Sequence, residues 1–94
     1  MEEAKIVKTP GTVGGKARID GTRIRVIDVV QDYEVLGYTI EEIADSYNLT
    51  IVQVLEALKY YHQHPEEIRN EIKTEKKIIE NFKKEGKFLI VERA

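Results

Sequence analysis

From Val26 onward, apolar residues recur every three or four positions, which is the spacing of one face of a helix. The first such stripe comprises Val26, Val29, Val30, Tyr33 and Leu36. Polar residues such as Asp28 and Gln31 lie between them and are expected to face away from the core. Gly37 follows the stripe, and glycine is a common residue just after the last turn of a helix. The pattern therefore predicts a first helix that begins near Ile27 and ends at Gly37.

Two threonines begin the next two predicted helices. Thr39 is followed three residues later by Glu42, and Thr50 is followed at the same spacing by Gln53. In such a capping box each side chain satisfies a backbone N–H that the helix leaves unpaired. The apolar faces comprise Ile40, Ile43, Ala44 and Tyr47 in the second helix and Val54, Leu55, Leu58 and Tyr61 in the third, which runs to about His64. With the turn at Asn48–Leu49, the two segments predict a helix-turn-helix core.

A fourth helix is predicted from Pro65, because proline is favoured in the first helical turn. Its apolar residues form a narrow seam among alternating charges: Ile68, Ile72, Ile79 and Phe82. A seam this narrow does not fold alone, so it must lie on the core or on another chain. Gly86 is expected to end the helix, and Phe88–Val91 predicts a short strand that pairs with the N-terminal strand or with a partner.

The first 26 residues predict β structure and loop. Lys5–Lys8 alternates weakly, as a short edge strand does, and the glycine-rich stretch from Gly11 to Lys16 has no periodicity. Ala17–Ile19 and Arg23–Val26 are expected to form a hairpin around Asp20-Gly21, a dipeptide that favours two-residue turns.

The predicted fold class is mainly α within the α+β class. It has a helix-turn-helix three-helix core, a small N-terminal β-hairpin, a long fourth helix and a short C-terminal strand. A chain of 94 residues has room for one modest core, so residues 1–94 are expected to form a single domain. Its parts are a basic strand and hairpin arm at 1–26, the helix-turn-helix core at 27–64 and the C-terminal helix and strand at 65–94. Dimerisation would enlarge the core, and a homodimer is expected.

Composition narrows the location and the chemistry. The chain has no cysteine, which excludes disulfides and thiolate metal sites and favours the reducing cytoplasm. No apolar run approaches the length that crosses a bilayer, so no membrane contact is expected. His62 and His64 point in different directions on a helix and cannot chelate one metal as a pair. Ser46, the only serine, lies near no histidine in sequence, and no motif marks a nucleophile elbow or an acidic metal cluster. Neither catalysis nor a cofactor or metal is therefore expected.

Positive charge is concentrated near the N-terminus. From Lys5 to Arg25 there are six basic residues and one acidic residue, although the whole chain has a net charge of -2. The candidate DNA-binding residues are Lys16, Arg18, Arg23 and Arg25 in this arm and Thr50 and Gln53 at the start of the third helix. Arginine forks bind phosphate oxygens, and glutamine suits the adenine edge.

Structural roles compete with DNA contact at several of these positions. For Arg23 a structural role, such as pairing with Asp20 or Asp28, is favoured, whereas for Arg18 and Arg25 both roles stay open. Gln53 is favoured as a cap residue. The third helix carries Lys59 as its only Lys or Arg, which is less positive charge than a helix in a DNA groove usually has.

Several motifs together resemble the domain of unknown function 433 family of small bacterial and archaeal proteins. The matching residues are Pro10-Gly11, Gly14-Gly15-Lys16, Ile19, Gly21-Thr22-Arg23-Ile24, Val26, Asp28, Gly37-Tyr38-Thr39, Glu41-Glu42-Ile43, Leu49-Thr50, Val54, Ala57-Leu58, Tyr60 and His64-Pro65-Glu66-Glu67. The resemblance covers about residues 10–67. It implies a winged or homeodomain-like helix-turn-helix fold and the role of a VapB-type antitoxin, whose partner is a PIN-like ribonuclease toxin from a neighbouring gene.

The leading functional hypothesis is therefore a non-catalytic antitoxin-like adaptor. It binds the toxin and touches operator double-stranded DNA through the basic arm, as a transcriptional autoregulator. The candidate partner-binding residues are Ile72, Ile79, Phe82, Phe88 and Ile90. The alternative is a protein-protein interaction domain without nucleic-acid contact.

Overall fold

The chain begins with two short antiparallel strands, β1 (Ile6–Val7) and β2 (Arg18–Ile19), in which Ile6 lies opposite Ile19. This computed structural model describes residues 3–85. The predicted turn at Asp20-Gly21 is present, with Gly21 at a φ of +82° and the Ile19 N–H donating to the Ile24 carbonyl at 2.9 Å. The predicted second arm, residues 23–26, makes only one isolated bridge, between Arg25 and Arg18. The ladder partner of β2 is instead β1, because a helix already begins at Val26.

Helix α1 (Val26–Val30) continues into one π-helical turn over Gln31–Val35. Val26, Val29 and Val30 are buried, as the stripe predicts. The prediction is wrong for Tyr33 and Leu36, which are exposed. A π turn holds more residues per turn than an α-helix, so it rotates the later members of the stripe away from the core. Gly37 then ends the segment at a φ of +77°, as predicted.

The helix-turn-helix core is confirmed. Helix α2 (Ile40–Tyr47) and helix α3 (Ile51–Gln63) pack against each other, and each begins with the predicted capping box. Thr39 Oγ1 accepts from the Glu42 N–H and Thr50 Oγ1 from the Gln53 N–H, both at 3.1 Å. Asn48 ends α2 at a φ of +58°, a left-handed conformation that asparagine tolerates.

One core collects side chains from β2, from Ala17 just before it and from all four α-helices. Its buried members are Ala17, Ile19, Val26, Ile27, Val29, Val30, Ile43, Ala44, Val54, Ala57 and Ile68. Half-buried residues, among them Ile6, Ile40, Leu58 and Tyr61, pack around it. The prediction that Leu55 faces inward is wrong. Leu55 lies about 100° around α3 from Val54, beyond the edge of the buried face, and is exposed.

Helix α4 (Pro65–Lys84) begins at the predicted proline. Its first half contacts α1 and α3 and buries Ile68 completely. Every residue from Lys76 to Glu85 is exposed. The predicted strand Phe88–Val91 and the predicted helix end at Gly86 lie outside the described residues.

Candidate interaction surfaces

The N-terminal arm and α4 meet through a row of charges. Glu67, Glu71 and Glu75 follow one another at intervals of four along α4, so they share one side of the helix. Lys8 and Lys16, from the arm, each place an ammonium nitrogen 2.8 Å from a carboxylate oxygen of this row. The local positive excess of the arm is thus matched by a local negative row that lies far away in sequence.

Glu75 is shared by two of the predicted DNA-binding cations. Its Oε2 accepts from the Lys16 Nζ and from the Arg25 Nη1. Burial of Glu75 raises its pKa, but the hydrogen bonds from Lys16 and Arg25 outweigh burial and hold the pKa below its ordinary value. Both cations are therefore neutralised within the chain.

Arg25 is held from a second side at the start of α1. Its Nη2 and Nε donate to the two carboxylate oxygens of Asp28 at 2.7 and 3.2 Å, and its backbone N–H also donates to Asp28. The hydrogen bond with Asp28 is the main cause of a raised Arg25 pKa, which burial opposes. Of the two roles left open for Arg25, the structure shows the structural one.

Glu67 forms the other end of the charged contact. It accepts from Lys8, and the Tyr60 hydroxyl of α3 donates to its two oxygens at 2.9 and 3.1 Å. Burial raises the Glu67 pKa, whereas the hydrogen bonds from Lys8 and Tyr60 together lower it below the ordinary value. Glu67 therefore joins the arm, α3 and α4.

Glu71, between these two residues, has a different environment. Its Oε1 is buried and accepts no hydrogen bond from the described residues. Burial, followed by the negative charge of Glu67, raises the pKa of Glu71. The middle of the row is thus a carboxylate that the fold desolvates without pairing it.

The remaining two arginines of the arm differ from each other. Arg18 donates to the Thr22 carbonyl at 2.9 Å and to the Thr9 hydroxyl at 3.0 Å, so it fastens the turn to the preceding loop. Arg23 is exposed and has no hydrogen-bond or ion-pair partner within residues 3–85. The structural role predicted for Arg23 is not observed. Asp28, one of the two predicted partners of Arg23, instead accepts hydrogen bonds from Arg25.

At the start of α3, Thr50 and Gln53 bond to each other. The Thr50 N–H donates to Gln53 Oε1 at 2.9 Å, which completes the capping box. The predicted cap role of Gln53 is confirmed, and both side chains are engaged with the helix end. The exposed face beside them is apolar and consists of Ile51, Val52 and Leu55. Sequence reasoning missed this face because it counted Leu55 as core.

The candidate partner-binding residues of α4 divide between two environments. Ile72 is half-buried and packs on the core. Ile79 and Phe82 are about half exposed, at 53% and 50%, and Ile78 beside them is 51% exposed. Ile78 and Phe82 also line an open depression with Asn81 and Glu85. Phe88 and Ile90 lie outside the described residues.

Residues 3–85 contain neither a cluster of metal ligands nor a membrane-spanning helix. No group of three or more metal-ligating side chains lies close enough to hold an ion in this part of the chain. None of the helices described is long and apolar enough to cross a membrane.

The fold and its surfaces define a small helix-turn-helix module that is preceded by a two-stranded sheet and followed by a long helix. A family model described as "Protein of unknown function (DUF433)" matches residues 6–61, more than half of the chain. The chain therefore belongs to the DUF433 family, as the sequence motifs indicate. The antitoxin role stays a prediction.

One solved structure supports the same assignment. A crystal structure of a DUF433 member from Anabaena variabilis ATCC 29413 is 43% identical to this chain, with a TM-score of 0.65. The match covers 71% of this chain and 66% of that chain, which is just under two thirds of its length. Among curated proteins no match is found.

Proposed function

We propose that this protein is a non-catalytic adaptor of the antitoxin type that binds a partner protein through the second half of α4. The proposed partner is a PIN-like ribonuclease toxin encoded by a neighbouring gene. The observation that carries the proposal is the exposed apolar stripe Ile78, Ile79 and Phe82, on a helical stretch from Lys76 onward that buries nothing against its own core.

A free helical stretch of this kind is suited to docking in a groove. About ten residues of isolated helix are marginal in water, so contact with a partner would stabilise them. An amphipathic helix binds by laying residues three and four apart into an apolar groove, and Ile78, Ile79 and Phe82 have this spacing. At about 100° per residue, Lys77 and Lys84 lie on the side of the helix opposite this stripe, so the complementary surface is defined by its apolar lining.

The test is neutralisation of the ribonuclease encoded by the adjacent gene, measured on a labelled RNA with each purified variant of the full chain. Phe82→Glu and Ile79→Glu should weaken inhibition by about a hundredfold, because each buries a carboxylate in the proposed contact. Lys73→Glu is the matched control, since it places a carboxylate on the opposite side of the same helix. Equal inhibition by all three variants, or none by the wild type, would refute the proposal.

A second candidate function, contact with operator DNA, is favoured by one observation. Arg23 is an exposed cation without a partner within the described residues, on the same arm as the turn that precedes α1. The other cations proposed for this role, Lys16, Arg18 and Arg25, make contacts within the chain. These internal contacts favour the protein partner over DNA as the main ligand.

Electrophoretic mobility shift on the protein's own promoter at low salt tests the DNA contact. If Arg23 binds a phosphate, Arg23→Ala should weaken binding and reduce the salt slope by about one unit. Lys59→Ala is the control, because it removes an exposed cation from the third helix instead. The absence of any shift, with or without the neighbouring gene product, would leave a protein-binding domain without nucleic-acid contact.

A further inference from the structure

Helix α4 carries a group of positive charges on the side opposite its glutamate row. At about 100° per residue, Glu67, Glu71 and Glu75 are centred on one side of the helix, and five basic residues are centred on the other. Of the acidic residues of α4, Glu66 and Glu80 share the side of these cations. The five basic residues are all exposed and form the basic side of α4: Arg69, Lys73, Lys76, Lys77 and Lys84.

The basic side has no counter-charge within the described residues. Its five cations form neither a hydrogen bond nor an ion pair within residues 3–85. Arg69 lies over the Tyr61 ring, with its guanidinium carbon 5.9 Å from the ring centroid. By contrast, Lys8, Lys16 and Arg25 are paired with carboxylates of α4. The largest group of unpaired cations in this part of the chain therefore lies on α4 and not in the arm.

The spacing of these cations has a cost that an anionic ligand would remove. Arg69, Lys73 and Lys77 follow one another at intervals of four, so like charges are neighbours on the helix surface and repel one another. The glutamate row has the same spacing, and there Lys8 and Lys16 supply the opposite charge. Nothing in residues 3–85 does this for the basic side, which leaves the counter-charge to another molecule.

We propose that the basic side of α4 binds the phosphodiester backbone of a nucleic acid. From Arg69 to Lys84 the helix rises about 22 Å. A duplex carries one negative charge per about 1.7 Å of its length, so several phosphates lie within reach of this side at once. Contacts to phosphates position a protein without reading bases, so the binding is independent of sequence.

The apolar residues of α4 argue against an anionic membrane as the ligand. A helix that lies on a bilayer buries its apolar face in the lipid and extends its lysines from the edges of that face to the headgroups. In α4 the exposed Ile78 and Phe82 lie opposite Lys73 and Lys84. Burying the apolar residues in lipid would therefore turn these ammonium groups away from the lipid phosphates. A nucleic acid needs no apolar contact and can meet the basic side directly.

Fluorescence anisotropy of a labelled DNA duplex of arbitrary sequence, at low salt, tests the proposal with the full chain. The Lys73→Ala, Lys77→Ala double variant should bind at least about tenfold more weakly, with a salt slope smaller by about two units, since two phosphate contacts are lost. Lys5→Ala, Lys59→Ala is the matched control, because it removes two exposed cations elsewhere, and it should bind like the wild type. Glu80→Gln removes a carboxylate from the basic side and should bind more tightly.

A labelled single-stranded RNA and vesicles that contain phosphatidylserine are measured in parallel. Binding to the DNA or to the RNA identifies which nucleic acid supplies the phosphates. A wild type that binds neither, equal losses in the two double variants, or binding to the vesicles alone would overturn the proposal. The toxin contact is read from ribonuclease inhibition and the Arg23 contact from shifts of the promoter, so this proposal holds or fails independently of both.

Discussion

The two halves of α4 have opposite relations to the rest of the chain. The first half buries Ile68, half-buries Ile72 and carries the glutamate row that contacts the arm. The second half exposes Ile79 and Phe82, and none of its residues from Lys76 to Glu85 is buried. The beginning of the apolar seam therefore anchors the helix on the core, whereas its end stays exposed and is the surface that we propose for a partner.

The first half of α4 also neutralises much of the positive charge of the N-terminal arm. Counted along the sequence, the arm has a clear excess of positive charge. In the fold, Lys8, Lys16 and Arg25 face carboxylates of α4, so much of this excess is neutralised before any ligand arrives. A charge cluster indicates a nucleic-acid surface only if the rest of the chain leaves it unpaired.

The largest expected effect is a difference in the free energy of unfolding between variants in the first and second halves of α4. Ile68→Ala should lower the free energy of unfolding by about 2–4 kcal/mol, because it leaves a cavity in the core. Ile79→Ala should change it by less than about 0.5 kcal/mol, since that side chain is largely exposed. Urea denaturation measures both. Equal losses in the two variants would mean that the halves do not differ.

The features that the sequence predicts well are local ones. Thr39 with Glu42 and Thr50 with Gln53 form their capping boxes within three residues, so the helix starts follow from nearby residues alone. Gly37 ends its segment for a similar reason. The helix-turn-helix core is therefore readable from short-range chemistry.

The features that the sequence predicts poorly depend on long-range geometry. Lys16 and Glu75 are 59 residues apart, and nothing between them indicates that they pair. The spacing of Glu67, Glu71 and Glu75 was the available signal, because it places three carboxylates on one side of a helix that must face something. Tyr33 was misassigned because a π turn has no clear sequence pattern.

Glu75→Gln should destabilise the fold by about 1–2 kcal/mol, because it removes the negative charge from the acceptor that Lys16 and Arg25 share. Glu80→Gln is the matched control in the second half of α4, where the carboxylate is exposed, and should have little effect. Urea denaturation at neutral pH compares them. A loss from Glu80→Gln as large as that from Glu75→Gln would contradict the division of the helix.

Lowering the pH should weaken the contacts that Glu67 and Glu75 make in the first half of α4. The pKa values of Glu67 and Glu75 lie below the unpaired value of 4.5. Their contribution to stability is therefore fully present above that pH and is lost as the pH falls through the lower folded-state values. The expected loss is roughly 1 kcal/mol. Denaturation midpoints measured down the pH scale should fall less in the Glu67→Gln, Glu75→Gln double variant, and an identical fall would refute this assignment.

The smallest expected effect is that of substituting Glu71, which should raise the free energy of unfolding, whereas the variants above lower it. Its pKa is raised above 4.5 by burial and by Glu67, so the folded state binds its proton more tightly than the unfolded state does. The charged form therefore costs stability at neutral pH, and this cost disappears as the pH falls below the unfolded value. Glu71→Gln should stabilise the protein by a few tenths of a kcal/mol at neutral pH and by nothing at about pH 4. A destabilised Glu71→Gln variant at neutral pH would show that the carboxylate is paired after all, and the row on α4 would then act as one uniform acidic surface.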